Sequence, residues 1–265
     1  MTEPSSFRVL EGAPDSRVIV HVPHASRRIP TVARADLLLT DEELARELDR
    51  VTDSLTDVMA LESASAARLR PWLFVNDLSR LVIDPERFPD AREVMERVGQ
   101  GAVYATTSEG AVLRRRDDAR REDLMTAYFH PYANALADLV EERVDAVGGA
   151  TILDIHSYRV HPHANDMNHG QSRPLVCLGT DAFHTPPALR ALVAQAFSSI
   201  GDVLDNEPYA GTYVPLDFYG RSTAVASIML ELRADTHVDE QLRSTEGFRN
   251  VVAALTSVID GLAPQ

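Results

Sequence analysis

Apolar and polar positions alternate along this chain with two different periods. RVIVHV at 17–22 is a short apolar run ending in the turn PHASRRIP, which predicts a buried strand. Over 41–61 the residues Leu44, Leu48, Val51, Leu55, Val58 and Met59 fall three or four apart, a helical spacing. Thr40 followed by Glu43 is a capping-box signature at the start of that helix. PWLFVN at 71–76 and LVI at 81–83 predict strands on either side of the polar DLSR.

From about 85 to 120 the pattern weakens. Pro85, Pro89, Gly99, Gly101 and Gly110 punctuate it, and the charge run RRRDDARRED reads as the solvated start of a helix. Helical spacing returns over 122–145 and stops at Gly148-Gly149. TILDIHS at 151–157, PLVCLGT at 174–180 and TAVASIMLEL at 223–232 predict buried strands, with helices over 186–200 and 239–262. Between the first two of these strands, residues 160–173 form a loop rich in His, Asn and Gly, including His161, His163 and His169. The alternation of strands and helices predicts a three-layer α/β/α architecture around a mixed, largely parallel sheet. No interior linker interrupts it, so one domain over 1–265 is expected.

Composition narrows the function. A formal net charge of −14 argues against nucleic acid and against anionic membranes, because both need a basic surface. No apolar run is long enough to span a bilayer and the first residues lack the form of a signal peptide, so a cytoplasmic protein acting on a small molecule is expected. The one cysteine, Cys177, excludes an internal disulfide and a cysteine-based zinc site, and its apolar surroundings predict a buried strand thiol.

Ligands of open α/β sheets bind beyond the C-terminal ends of strands. Four polar clusters fall at such ends: His24; Asn76-Asp77 with Arg80; Asp154, His156 and Ser157; and Glu231 with Arg233. His21, inside its strand, reads as packing or as support for a ligand. Asp154 and His156 are two apart on a strand and share a face. A hydrolytic zinc typically takes three protein ligands and keeps a fourth place open. His24 and His156 offer two nitrogens. The carboxylate is less determined: Asp49, Asp53 and Asp57 lie four apart on the 41–61 helix, and Asp53 is the choice although spacing alone does not select it. Glu231 closes a very apolar strand, where desolvation raises a carboxyl pKa and suits it to a general base; a salt bridge to Arg233 is the plainer alternative. Arg80 and Arg221 could each grip a substrate carboxylate.

Together VHVPHASRRIP, ELDRVTDSLTD, FVNDLSRLVID, FHPYANAL, ILDIHSYR and FYGRSTAVASIMLELRADTHVDE, in this order from residue 20 to 240, resemble the N-formylglutamate amidohydrolase family. The resemblance implies a zinc-peptidase-like α/β/α fold and hydrolysis of an N-acyl amino acid. It implies one Zn2+ on His24, Asp53 and His156, with Glu231 as base and Arg80 on the substrate carboxylate. Asn76, Asp154, Ser157, Tyr219 and Arg221 are expected near the substrate. Three departures sit beside this pocket: Ser26 stands where the family's turn has glycine, Ser79 stands where its DLNR-like motif has asparagine, and VHPHANDMNHG after ILDIHS is atypical, its His161, His163 and His169 reading as a polar loop, with a second metal site or substrate contacts as the alternatives. A related deacylase or peptidase, or a binding protein on the same scaffold, are the alternative readings.

Overall fold

The computed structural model describes residues 5–264. Seven strands form one sheet: β1 (Phe7–Leu10), β2 (Val18–Val22), β3 (Trp72–Asn76), β4 (Ala150–Tyr158), β5 (Val176–Gly179), β6 (Val203–Asp205) and β7 (Val225–Arg233). Their order across the sheet is β1-β3-β2-β4-β7-β5-β6. The pairs β3–β2, β2–β4, β4–β7 and β5–β6 are parallel, whereas β1–β3 and β7–β5 are antiparallel. The expected mixed, largely parallel α/β sheet is therefore present. The short, half-exposed strands β1 and β6 close its two edges and had given no clear periodic signal.

The helices are α1 (Thr31–Arg34), α2 (Asp41–Val51), α3 (Thr56–Ala66), α4 (Asp118–Leu124), α5 (His130–Val147), α6 (Pro187–Phe197) and α7 (Glu246–Gly261). Helices α3, α6 and α7 cover one face of the sheet and α5 covers the other. Because side chains alternate along a strand, each central strand divides its residues between the two faces. Val18, Val20 and Val22 of β2, Leu153 and Ile155 of β4, and Ile228, Leu230 and Leu232 of β7 all join the aliphatic core under α3, α6 and α7. The opposite face begins apolar, with Ile19, Phe74 and Ile152 packed on Tyr132, Leu136 and Leu139 of α5. Farther along the same strands it becomes polar, with His21, Asn76, Asp154, His156 and Glu231 all buried.

Three expected elements differ. The single helix over 41–61 is two helices. The capping box of Thr40 and Glu43 is present at the start of α2, but the chain breaks at Thr52–Leu55, with Leu55 at φ 65. The apolar period survives the break because α2 and α3 each direct a stripe inward, so the pattern hides it. The LVI segment at 81–83 forms a buried turn, not a strand. The last helix begins at Glu246, because 239–245 folds into a turn closed by a bridge between Val238 and Ser244. Helical structure over 118–147 is continuous, with a π-helical turn at Met125–Phe129 between α4 and α5, and Gly148 ends it at φ 76. Among the described residues no helix is long and apolar enough to cross a membrane.

Candidate active site

The strand register assembles the polar ends. β2 pairs His21 with Asp154 of β4, and β4 pairs His156 with Glu231 of β7. His24 follows two residues after β2, in the turn that Asn76 anchors: the Asn76 side chain donates to the Pro23 carbonyl at 2.8 Å and accepts from Leu78 N–H at 3.0 Å. Ser26, in place of the family's glycine, donates to the Asp77 carbonyl, and Ser79 accepts from Leu81 N–H. Both of these departures are absorbed as turn hydrogen bonds.

The break between α2 and α3 delivers the third residue. Asp53 N–H donates to the His24 carbonyl at 3.1 Å, tying the interrupted helix to the turn after β2. Asp53 is 3% exposed, whereas Asp49 is exposed and pairs with Arg27. The three aspartates thus do not form one helical stripe, and the break separates the buried one from its neighbours. His24 Nδ1 lies 3.2 Å from His156 Nδ1, His156 Nδ1 lies 3.1 Å from Asp53 Oδ2, and His24 Nδ1 lies 3.7 Å from the same oxygen. Donors ~2.0–2.1 Å from a tetrahedral ion stand roughly 3.3 Å apart. These three atoms are therefore spaced so that they could hold a metal ion.

A second layer supports the first. His24 Nε2 lies 2.9 Å from Asp84 Oδ1, and His156 Nε2 lies 3.1 Å from Glu86 Oε2 and 3.2 Å from Asp154 Oδ1. Asp154 also lies 2.8 Å from His21 Nδ1, and the other His21 nitrogen meets the Tyr132 hydroxyl at 2.6 Å. Carboxylates on the outer ring nitrogens orient ligating histidines and strengthen them as donors. His21, buried at 0% exposure, braces Asp154.

The electrostatics are those of a concentrated anionic site. Burial disfavours the Asp53 carboxylate, yet hydrogen bonds from His156 and His24 hold its pKa below the usual range. Burial likewise opposes charge on His24 and His156, but their carboxylate neighbours outweigh it and raise both pKa values. In Arg80 burial is outweighed by Tyr104, Asp84 and Asp53, which keep the guanidinium charged. Glu231 behaves oppositely: burial dominates and pushes its carboxyl pKa up to about 7. Its Oε2 is buried without a partner, and Arg233 pairs with Asp235 at 2.8 Å, not with Glu231.

These residues line a cavity of about 410 Å³. His24, Asp53, Arg80, His156, Ser157 and Glu231 all border it. Asn76 and Asp154 lie behind its wall, bonded to backbone and to histidines. Tyr219 and Arg221 stand outside the lining. Tyr219 stacks on His184 5.7 Å away, and Arg221 sits in the exposed turn after it. Sequence reasoning missed Asp84, Glu86, Arg87 and Tyr104, which come from the aperiodic stretch after β3 and border or support the cavity. The one available signal was the i,i+4 pair of Arg80 and Asp84, which meet at 3.0 Å. From the loop over 160–173, His163, Asn165 and Asp166 reach the cavity, while His161 and His169 are exposed. None of the three loop histidines joins a potential metal-holding group among the described residues. Cys177 is a buried strand thiol, with burial pushing its pKa up to about 12.

The same architecture occurs in solved proteins. An N-formylglutamate amidohydrolase from Ralstonia eutropha JMP134 superimposes with a TM-score of 0.79 at 20% identity, over 97% of each chain. A gene product from Agrobacterium tumefaciens superimposes with a TM-score of 0.70 at 19% identity, over 98% of this chain and 95% of that one. At such identities the likeness speaks for the fold. No curated protein sequence matches the chain. The family model described as N-formylglutamate amidohydrolase matches residues 16–238, which take in every element from β2 to β7 and all four polar clusters at the sheet's edge. With most of its length matched in this way, the chain belongs to the N-formylglutamate amidohydrolase family.

Proposed function

We propose that this protein hydrolyses the amide bond of a small N-acyl amino acid, with N-formylglutamate as the first substrate to consider, using one divalent metal, zinc by preference, and Glu231 as general base. The observation that carries this reading is the unpartnered Glu231 Oε2 beside the converging nitrogens of His24 and His156 and the Asp53 oxygen, all on one cavity. A carboxyl group buried without a partner and titrating near 7 is poised to take a proton and to return it at neutral pH.

The metal would be held by His24, Asp53 and His156. When bound it supplies Lewis acidity, polarising an acyl carbonyl and lowering the pKa of a coordinated water toward ~7. Asp84 holds the outer nitrogen of His24, and Asp154, braced by His21, does the same for His156. Glu231 Oε2 accepts a proton from the attacking water and then gives it to the nitrogen of the leaving amine, so the carboxylate is regenerated with each turnover. Arg80, whose Nε is buried without a partner, orients the substrate carboxylate.

The binding-protein alternative gains nothing from the site, since Glu231 neither pairs with Arg233 nor packs away from the cavity. The test is turnover of N-formylglutamate before chelation, after it, and after zinc is restored, with metal content measured on the same samples. About one zinc per chain with activity that follows it is the expected result. Zinc binding without turnover of N-formylglutamate would transfer the reading to another acyl amide. A protein that hydrolyses at full rate when stripped of metal would overturn it.

A further inference from the structure

A second cavity, of about 420 Å³, takes up the charge run of residues 114–123. Part of its lining is apolar, from Phe88, Pro89, Ala102, Val103, Ala105 and Leu124. Arg114, Arg115, Arg116, Arg120 and Arg121 also line it. Most of the surrounding charges are already matched. Arg116 meets Glu96 at 2.8 Å, Arg120 meets Asp36 at 2.6 Å, and Arg121 donates to the Pro89 carbonyl at 3.0 Å. Asp90 pairs with Arg92 at 2.7 Å, Glu93 accepts from the amides of Phe88 and Met95, and Asp117 accepts from Arg120 N–H as the cap of α4. Asp118 is exposed to solvent.

Arg114 differs from its neighbours. It is only 5% exposed. Its Nη2 donates to the Leu81 carbonyl, while Nε and Nη1 are buried with no partner. Burial pulls its pKa down to about 10, and Asp36 opposes this only in part. Arg114 thus borders the cavity as a buried guanidinium with two donors that no protein group takes up, and a carboxylate or phosphate is the kind of group that pairs with it. Exposed Arg115 adds a second positive charge to the same lining.

We propose that this cavity is a second ligand site, separate from the one around His24, for a small organic anion whose carboxylate or phosphate pairs with Arg114 while its apolar body rests on Phe88, Val103 and Leu124. Its volume lies in the range of small-molecule sites. The two cavities share a wall: Glu86, Arg87, Met95 and Tyr104 border the first, and Phe88, Glu93, Val103 and Ala105, from the same segment, border the second. An anion held by Arg114 therefore rests against the segment that completes the first cavity. The proposal stands whatever reaction that first cavity carries out.

Calorimetric titration with benzoate and with phenyl phosphate tests it and separates the two head groups. The metal-loaded wild type is compared with Arg114→Met, Ala91→Phe and Arg80→Gln. Ala91 lines the cavity from an exposed turn, so Ala91→Phe narrows it without disturbing the core, and it decides the matter if Arg114→Met fails to fold. The expected result is one equivalent of at least one probe, bound at least tenfold more weakly by the first two variants and unchanged in Arg80→Gln. Failure of both probes to bind the wild type overturns the proposal. So does binding that survives both cavity variants, or binding that disappears with Arg80→Gln.

Discussion

The two faces of the central sheet are made from the same strands and do opposite things. Under α3, α6 and α7 every buried strand residue of the central cluster is aliphatic, from Val18 to Leu232. On the α5 side the same strands run from Ile19, Phe74 and Ile152 to His21, Asp154, His156 and Glu231. Polar groups are expensive to bury without partners, so a protein gains by confining them to one face and leaving the other to hold the fold. The aliphatic cluster contains no charged strand residue, and the polar face offsets its desolvation by dense pairing, such as Asp154 between His21 and His156. Among the described residues beside that face, Glu231 Oε2 and Arg80 Nε are left without partners, and the proposed chemistry uses both groups.

Substitutions on the two faces should therefore fail differently. The largest effect is expected from His156→Ala, which removes one of the three converging donors: metal content measured by elemental mass spectrometry should drop to background, and turnover with it. A metal-free variant that remains fully active would break the site. Glu231→Gln is next. General-base loss costs roughly 10²–10⁴-fold, so kcat should fall in that range while metal content stays at the wild-type level. Ile228→Ala, on the aliphatic face and 0% exposed, should destabilise by about 2–5 kcal/mol in denaturant unfolding while leaving KM of the folded enzyme unchanged. A large KM change there would mean that the two faces are not independent. The smallest effect is graded by pH. Glu231 must be deprotonated to accept a proton, and its pKa is raised to about 7, so kcat/KM should fall about tenfold per unit as pH drops below that value. The limb should vanish from the residual activity of Glu231→Gln.

The division between faces also explains what the sequence could and could not reveal. The buried strands, the polar residues at their ends and the identities of His24, His156 and Glu231 follow from local pattern, because a hydrophobic run that stops in His or Glu is visible within ten residues. Asp53 is the chosen one of three aspartates four apart, and spacing alone does not separate it from Asp49 and Asp57. Its special position comes from a helix break that keeps the apolar period intact, and the break is fixed by Leu55 at φ 65 and by the Asp53 amide on the His24 carbonyl. Asp84 and Glu86 lie in a stretch without periodicity, where only tertiary contact decides which carboxylate is buried. The pairing of His21 with Asp154 depends on register between strands 133 residues apart, which no local window contains. Tyr219 rests on a motif match and Arg221 on its residue type as well, and the chain places both beyond the cavity lining.

The strand order β3-β2-β4-β7 has a consequence for how the molecule comes into being. His24, Asp53, His156 and Glu231 leave the ribosome in that order, but they become neighbours only when β4, synthesised long after β2, has docked along it and β7 has followed. Parallel pairings between distant segments close large loops and are slow to form. No N-terminal fragment that ends before β4 holds the complete donor set, so ion capture would wait for β4 to dock along β2 and act as a latch on that pairing. An ion bound by the finished fold alone raises the free energy of unfolding by mass action. The nascent chain would thus gain this increment of stability with β4, and the proposed base only when β7 adds Glu231 beside it.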